Sequence, residues 1–278
     1  MVARTALVTG GSGFVGREVV AGLAEQGVAV RLVLRDGRDP PEEAGDALER
    51  VIHTPNLFAE SSTWWASACK GIDTAVHVAW YAEPGRYLTS LLNLECVAGT
   101  LSFAKGAAEA GVRRWVGIGT CFEYDVTAGR LAVDTPLRPT TPYAGAKAAT
   151  YLALSPWCQE ARVEFLWCRL FYLYGGDHED RRRLVPYIRS RLAAGEAADL
   201  TSGAQIRDFM DVRQAGRMIA NAALGGRQGA MNICSGVAIT VRQLAETVAD
   251  EFGRRDLLRF GARPDNLVDP PMVVGVRD

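Results

Sequence analysis

Residues 5–26 carry the tightest constraint in this 278-residue chain. The short apolar run Ala6-Leu7-Val8 leads into Thr9-Gly10-Gly11-Ser12-Gly13-Phe14-Val15-Gly16, and a segment of helical periodicity, Arg17 to Gln26, follows. A strand that turns directly into a helix uses glycine for separate reasons. Gly10 lets the chain turn, Gly13 lets backbone approach a pyrophosphate, and Gly16 lets the helix lie close on the strand. Phosphates then sit at the helix N-terminus, where free N–H groups and the dipole favour anions. A glycine-rich turn alone serves any tight connection. With the strand before it and the amphipathic helix after, it reads as a dinucleotide site.

Strand and helix patterns keep alternating. Ala29 to Leu34 reads as a second strand, followed by a short apolar piece at Val51-Ile52 and a strand at Thr74 to Val78. A helical stretch runs from about Tyr87 to Ala110, then a strand at Trp115 to Gly119, a helix at Ala144 to Leu154 and a strand at Phe165 to Leu170. Such alternation predicts parallel strands with crossover helices: an α/β, Rossmann-type doubly wound sheet. Past Leu170 the pattern loosens into a polar loop at Gly175 to Asp180, a helix at Leu184 to Ala194, short strands and a last helix at Val241 to Phe252. The expected division is a dinucleotide-binding domain over 1–170 and a smaller substrate-binding lobe over 171–278, with interleaving of the two left open.

Composition excludes several classes. At 48% hydrophobic and 23% charged the chain suits one globular unit or two closely joined lobes. A net charge of −1 gives no global pull toward nucleic acid or anionic membrane. The run Arg181-Arg182-Arg183 is the densest basic cluster and reads as a solvated loop, with the lining of an anion pocket as the alternative. The six cysteines are scattered without a Cys-x-x-Cys pair or metal-ligand spacing, so no metal is expected. Met1 to Arg4 run straight into the first strand with no room for a signal peptide, and no apolar run suits a bilayer. The expectation is a reducing, cytoplasmic setting.

Reactive groups gather on Tyr143-Ala144-Gly145-Ala146-Lys147. Residues four apart on a helix share a face, so the phenol and the ammonium point the same way. A nearby cation is expected to lower the phenol's pKa and make it a usable proton donor or acceptor. The preceding strand ends in Gly119-Thr120-Cys121, placing a hydroxyl at a carboxyl edge. At the end of the second strand, where an acidic residue would hold a ribose 2′-hydroxyl, stand Leu34-Arg35-Asp36. Arg35 offers charge-assisted hydrogen bonds to a 2′-phosphate, which favours NADP(H). NAD(H) stays possible, with Asp36 on the ribose and Arg35 an exposed loop residue.

Taken together, residues 9–16, Thr120 four residues before Tyr124, and Tyr143-x-x-x-Lys147 resemble the extended short-chain dehydrogenase/reductases. Within them the chain is most similar to the nucleotide-sugar epimerase/dehydratase/ketoreductase group. Val76-His77-Val78-Ala79 resembles the strand that backs the nicotinamide ribose, and Arg207 to Val212 the Arg-Asp-Phe segment that helps hold the sugar nucleotide. The resemblance implies Tyr143 as acid/base, Lys147 on the nicotinamide ribose and Thr120 on the reacting oxygen. It implies cofactor contacts from Gly10, Ser12, Gly13, Phe14, Val15, Gly16, Arg35, Asn56, Leu57, Val78, Ala79, Trp80, Tyr143, Lys147 and Phe171. For the substrate it implies Thr120, Cys121, Tyr143, Tyr172, Arg207 and Arg263, with Arg207 on the diphosphate and Arg263 a second candidate for that anion. Asn93 is either structural, part of a proton relay, or a polar residue on a helix face. The long helices imply a homodimer.

Departures from the pattern narrow the chemistry. Dehydratases of this group place Asp-Glu after the threonine; here Cys121-Phe122 stand there, and neither is the carboxyl acid and carboxylate base an elimination needs. Cys121 is a conceivable proton donor or simply a buried thiol, and Glu123 is expected to point away. Tyr172 replaces the usual asparagine. The chain stops about where many relatives begin their last helix, so a partner subunit is a candidate to complete the small lobe. The expected activity is NADP(H)-dependent reduction of a nucleoside-diphosphate 4-keto-6-deoxyhexose, as in deoxysugar biosynthesis. The alternatives are an NAD-dependent 4-epimerase, another carbonyl reductase, or a non-catalytic cofactor-binding sensor.

Overall fold

A computed structural model describes residues 4–266 and 269–277. In chain order the strands are β1 (Thr5–Thr9), β2 (Ala29–Arg35), β3 (Leu48–Thr54), β4 (Thr74–His77), β5 (Arg114–Thr120), β6 (Arg130–Leu131) and β7 (Glu164–Leu170). They continue as β8 (Tyr172–Tyr174), β9 (Ala198–Leu200), β10 (Ile206–Asp211), β11 (Gly229–Ile233), β12 (Ala238–Thr240), β13 (Leu258–Phe260) and β14 (Met272–Gly275). The α-helices are α1 (Gly16–Ala24), α2 (Ser62–Ala68), α3 (Leu92–Glu109), α4 (Pro142–Glu160), α5 (Leu184–Ala193), α6 (Val212–Leu224) and α7 (Val241–Asp250).

The central sheet runs β3-β2-β1-β4-β5-β7-β11 with every pair parallel. Its order reverses between β1 and β4, and in such sheets ligands sit beyond the carboxyl ends at that switch point. Those ends are Thr9, Arg35, His77 and Thr120, so the topology alone brings Arg35 and Thr120 of the expected site to one edge. This is a Rossmann-like α/β fold.

Apolar layers cover both faces. Val19, Val20 and Leu23 of α1 join Ile219 and Ala220 of α6 on one side. Trp65, Phe103, Leu154 and Cys158, from α2, α3 and α4, pack on Trp115, Phe165 and Trp167 on the other. Helix α6 was not anticipated, although Val212, Ala215, Gly216, Ile219, Ala220 and Ala223 follow helical spacing and are buried. It crosses α1 closely because a Cβ on Gly216 would lie 2.5 Å from the Glu18 backbone, and one on Gly22 2.9 Å from Ala220.

The second lobe holds a sheet ordered β12-β10-β14-β6, with β8 also on β10, and a β9–β13 pair. Helices α5 and α7 meet over Ile188, Leu192, Leu244 and Val248. The central sheet takes β11 from beyond residue 170, and the smaller sheet takes β6 from before it. Asp208 staples this lobe: buried, it accepts from Ser235 N (2.7 Å), Gly236 N (2.8 Å) and Gly275 N (3.1 Å). The helix expected from Tyr87 begins only at Leu92. Asn93 accounts for the difference, because its amide donates to the carbonyls of Tyr87 (2.7 Å) and Ser90 (2.9 Å) and fixes 81–91 as a loop. No helix among the described residues is long and apolar enough to cross a membrane.

Candidate active site

The glycine turn is shaped by close contacts. Gly10 has φ +70°, and a Cβ there would lie 2.6 Å from Ala79 N; a Cβ on Gly16 would lie 2.0 Å from Gly10 O. A Cβ on Gly13 would meet only Gly10 O, at 3.2 Å. Among the described residues no protein acceptor takes the N–H groups of Phe14 or Val15. Two free N–H groups at the start of α1 suit a diphosphate, so the turn fits a dinucleotide.

Beneath it lies a buried relay. Thr100 Oγ1 donates to Cys96 O at 2.6 Å and so accepts from His77 Nε2 at 2.9 Å. His77 Nδ1 is then the acceptor for Thr9 Oγ1 at 2.8 Å, which leaves Thr9 Oγ1 to accept from Ala79 N at 3.3 Å. Burial, helped by the Lys147 charge, pushes His77 down to about 3, so the ring stays neutral. The relay fixes Ala79 against Gly10.

Tyr143 opens α4, whose N-cap Thr141 accepts from Ala144 N at 3.2 Å. The phenol is half-buried and packs edge-on against Tyr87, 4.8 Å between ring centres. Burial lifts its pKa well above the usual phenol range, with Tyr87, Glu123 and Cys121 adding to the rise and the Thr120 hydroxyl opposing it. Lys147 is buried: Nζ donates to Ile118 O at 2.6 Å and lies 3.7 Å from the centre of the Trp80 ring. Burial drops Lys147 to about 7, against a smaller upward pull from Glu123. The expected lowering of Tyr143 by Lys147 is therefore corrected: desolvation governs both groups, and the ammonium is turned beneath β5. Trp80 Nε1 donates to Asn93 Oδ1 at 2.8 Å, so Asn93 is buried as an organiser of this loop.

Glu123 lies under Thr120. Its carboxylate accepts from Thr120 N (2.8 Å), Trp167 Nε1 (3.0 Å) and Arg169 Nε (2.7 Å), all buried. Gly119 leaves the room, since a Cβ there would be 2.3 Å from the carboxylate. Arg169 also donates to Tyr124 Oη at 3.0 Å, which donates to Asn232 Oδ1 at 2.8 Å. Cys121 is buried beside Thr120, and burial pushes its thiol up to about 12.

The remaining expected residues spread around this centre. Leu34 is in the core, while Arg35 and Asp36 are exposed at the end of β2. Asn56 Oδ1 accepts from Phe58 N at 3.1 Å, capping a 3₁₀ turn that includes Leu57. Val78 borders the core beside the relay. The Phe171 ring is buried with Cys121, Tyr124, Cys234 and Val273 between the lobes. Tyr172 packs edge-on against Phe122 and Phe209, and its hydroxyl is buried with no protein partner among the described residues. Arg207 is buried and donates to Asp269 at 2.7 Å and to Ile206 O at 2.8 Å. Arg263 is exposed, its guanidinium 4.7 Å from the Tyr187 ring centre. The basic run divides. Arg182 pairs with Asp180 in solvent, but Arg183 lies over Phe14, 5.0 Å from the ring centre, which corrects the reading of the whole run as a solvated loop.

A family model described as the NAD dependent epimerase/dehydratase family matches residues 6–234. The chain belongs to this family. It is 25% identical over 272 residues, 98% of this chain and 99% of the relative, to a dTDP-6-deoxy-L-talose 4-dehydrogenase (NAD(+)) of Aggregatibacter actinomycetemcomitans. The structure is similar to the UDP-N-acetylglucosamine 4-epimerase of Methanobrevibacter ruminantium M1, with a TM-score of 0.86 at 19% identity, covering 100% of this chain and 90% of that one. It also resembles the dTDP-glucose 4,6-dehydratase of Streptomyces venezuelae with NAD bound, at a TM-score of 0.81 and 25% identity, over 98% of this chain and 88% of that one.

For this member of the epimerase/dehydratase family, three features escaped the sequence reading. Glu123 looked like a residue pointing away because it follows no dehydratase pattern; the buried glycine and arginine that accommodate it lie on different strands. The His77 relay joins three elements distant in sequence. Arg183 shared the weaker pocket-lining reading of its run, and nothing in the spacing singles it out from Arg181 and Arg182.

Proposed function

We propose that the chain is a nicotinamide-dependent nucleotide-sugar 4-oxidoreductase, working as a 4-ketoreductase on a nucleoside-diphosphate 4-keto-6-deoxyhexose. One observation carries this reading: around the Tyr143 phenol stand Thr120, Cys121 and Tyr87, while the nearby carboxylate, Glu123, is held by Arg169 and Trp167. That supplies one proton donor and no carboxylate pair, as a ketone reduction needs and an elimination does not. The relative named for oxidising the 4-position of a dTDP-6-deoxy sugar supports it, since that step reversed is a 4-keto reduction.

A nicotinamide cofactor held by the glycine turn would supply the hydride chemistry at C4. Tyr143, protonated across the neutral range, passes its proton to the oxygen at C4, and Thr120 donates a hydrogen bond to that oxygen. Lys147, on the same helix as Tyr143 and anchored on Ile118 O, would hold the nicotinamide ribose. Phe122, Tyr172 and Phe209 give the sugar side an aromatic wall suited to a deoxygenated carbon. Arg207 takes the diphosphate by exchanging Asp269 for it. Arg35 at the end of β2 favours NADP(H). The exposed Asp36 beside it, and the NAD(+) in the relative's name, favour NAD(H) as the second cofactor reading. A 4-epimerase, as in the structural relative, is the second activity reading.

The test follows NADPH or NADH absorbance with a dTDP-4-keto-6-deoxyhexose. Stoichiometric loss of the reduced cofactor, abolished in Tyr143→Phe, is the expected result. Interconversion of unreduced nucleotide sugars without net consumption would replace it with the epimerase. A preference for NADPH that collapses in Arg35→Ala supports the 2′-phosphate contact, and an unchanged preference removes it.

A further inference from the structure

The geometry points to Arg183 as a ligand of the dinucleotide's diphosphate, reaching across from the second lobe; this rests on the glycine turn being a dinucleotide site. Arg183 precedes α5, yet its guanidinium lies 5.0 Å from the ring centre of Phe14, inside the turn. The N–H groups of Phe14 and Val15 are the free donors there. Arg183 also acts electrostatically on Tyr87, whose ring packs against Tyr143 at 4.8 Å. A dinucleotide spanning from the glycine turn to Tyr143 and Lys147 passes between these two points.

The side chain is held for that task. Nη2 donates to Leu173 O at 2.6 Å, and Nε faces Glu179 at 3.5 Å. Glu179 is itself buried and accepts from Gly175 N at 2.8 Å, so the loop that carries Arg183 is braced from within. Among the described residues Nη1 has no protein partner. A braced guanidinium with a spare donor, set over the ring of the same Phe14 whose N–H is free, brings the second lobe to the glycine turn, and arginine suits diphosphate oxygens. Its neighbour Arg182 donates from Nε and Nη2 to Asp180 and faces solvent.

Binding of NADH, NADPH, ADP-ribose, UDP and dTDP is measured by fluorescence titration on wild type, Arg183→Ala, Arg183→Lys and Arg182→Ala. Circular dichroism shows whether each variant is folded. Arg183→Ala is expected to weaken NADH or NADPH and ADP-ribose together by about tenfold or more, the scale of hydrogen bonds to a charged group. Arg183→Lys restores part of the loss, and Arg182→Ala binds as wild type does. ADP-ribose carries the diphosphate without the nicotinamide, so an equal loss on it locates the contact. Affinity of Arg183→Ala within twofold of wild type overturns the assignment and leaves the dinucleotide site standing. A loss confined to UDP and dTDP overturns it in favour of the substrate's diphosphate. Failure of folded wild type to bind any dinucleotide overturns both the assignment and the site reading beneath it.

Discussion

The backbone N–H of Thr120 donates to Glu123 Oε1 at 2.8 Å, three residues further along, while Thr120's hydroxyl accepts from Phe122 N at 3.3 Å. The two residues form a reciprocal cap at the end of β5. This aims the Thr120 hydroxyl at Tyr143 and buries the carboxylate against Arg169. Glu123→Ala strands the Arg169 guanidinium in the core, and breaking such a pair costs about 3–5 kcal/mol. Urea denaturation should show a loss of that order. A midpoint within about 1 kcal/mol of wild type would mean water replaces the carboxylate without penalty.

Lys147 makes the folded protein's stability depend on pH in the alkaline direction. Its folded value is about 7 and its ordinary one 10.5. Between them the unfolded chain binds more protons, so stability rises with pH at up to about 1.4 kcal/mol per unit. The clean window is pH 7 to 9, because the buried thiols and Tyr143 titrate with the opposite sign above it. Lys147→Met should flatten the slope of unfolding free energy between pH 7 and 9. Parallel slopes in the two proteins would show that Lys147 stays charged.

His77 acts on the acid side. With a folded value near 3 and an ordinary value of 6.5, it stays neutral in the fold while the unfolded chain takes up a proton. Its contribution to stability is therefore lost as pH falls below 6.5. His77→Leu breaks the relay between Thr9 and Thr100, costing about 1–3 kcal/mol at pH 7 for the unmatched hydroxyls. The gap between variant and wild type should close between pH 6.5 and 4. Denaturation midpoints at three pH values check it, and a constant gap would refute a neutral buried histidine.

Leu91 is 82% exposed and Leu94 70% exposed at the start of α3, with Leu152 and Trp157 exposed on the neighbouring α4. Covering these side chains with a second copy is the proposed dimer. Light scattering should give twice the chain mass for wild type and a monomer for Leu94→Lys combined with Leu152→Lys. A monomeric wild type at tens of micromolar, on the order of the usual assay range, would end the dimer reading.

Much of this site is legible along the chain because its parts are local. The glycine spacing from Gly10 to Gly16 works through contacts between residues of one turn and the strand beside it. Tyr143 and Lys147 share a helix face by period alone. Strand-helix alternation likewise fixes a parallel, doubly wound sheet and hence which strand ends meet. The start of α3 was misjudged by five residues because apolar spacing in 87–91 suits a helix, and only the buried Asn93 amide diverts it.

What tertiary structure alone decides is the company each group keeps. Sequence places Glu123 near Thr120, but only the packing of β5 against β7 brings Arg169 and Trp167 to its carboxylate. It places Lys147 four residues from Tyr143, but burial beneath β5, with Trp80 over the ammonium, sets its charge. It reports three arginines in a row, and the fold alone separates the solvated Arg182 from the Arg183 that reaches Phe14. The physical reason is the same in each case. Local spacing fixes which face a side chain leaves from, whereas desolvation and ion pairing depend on neighbours supplied by distant segments.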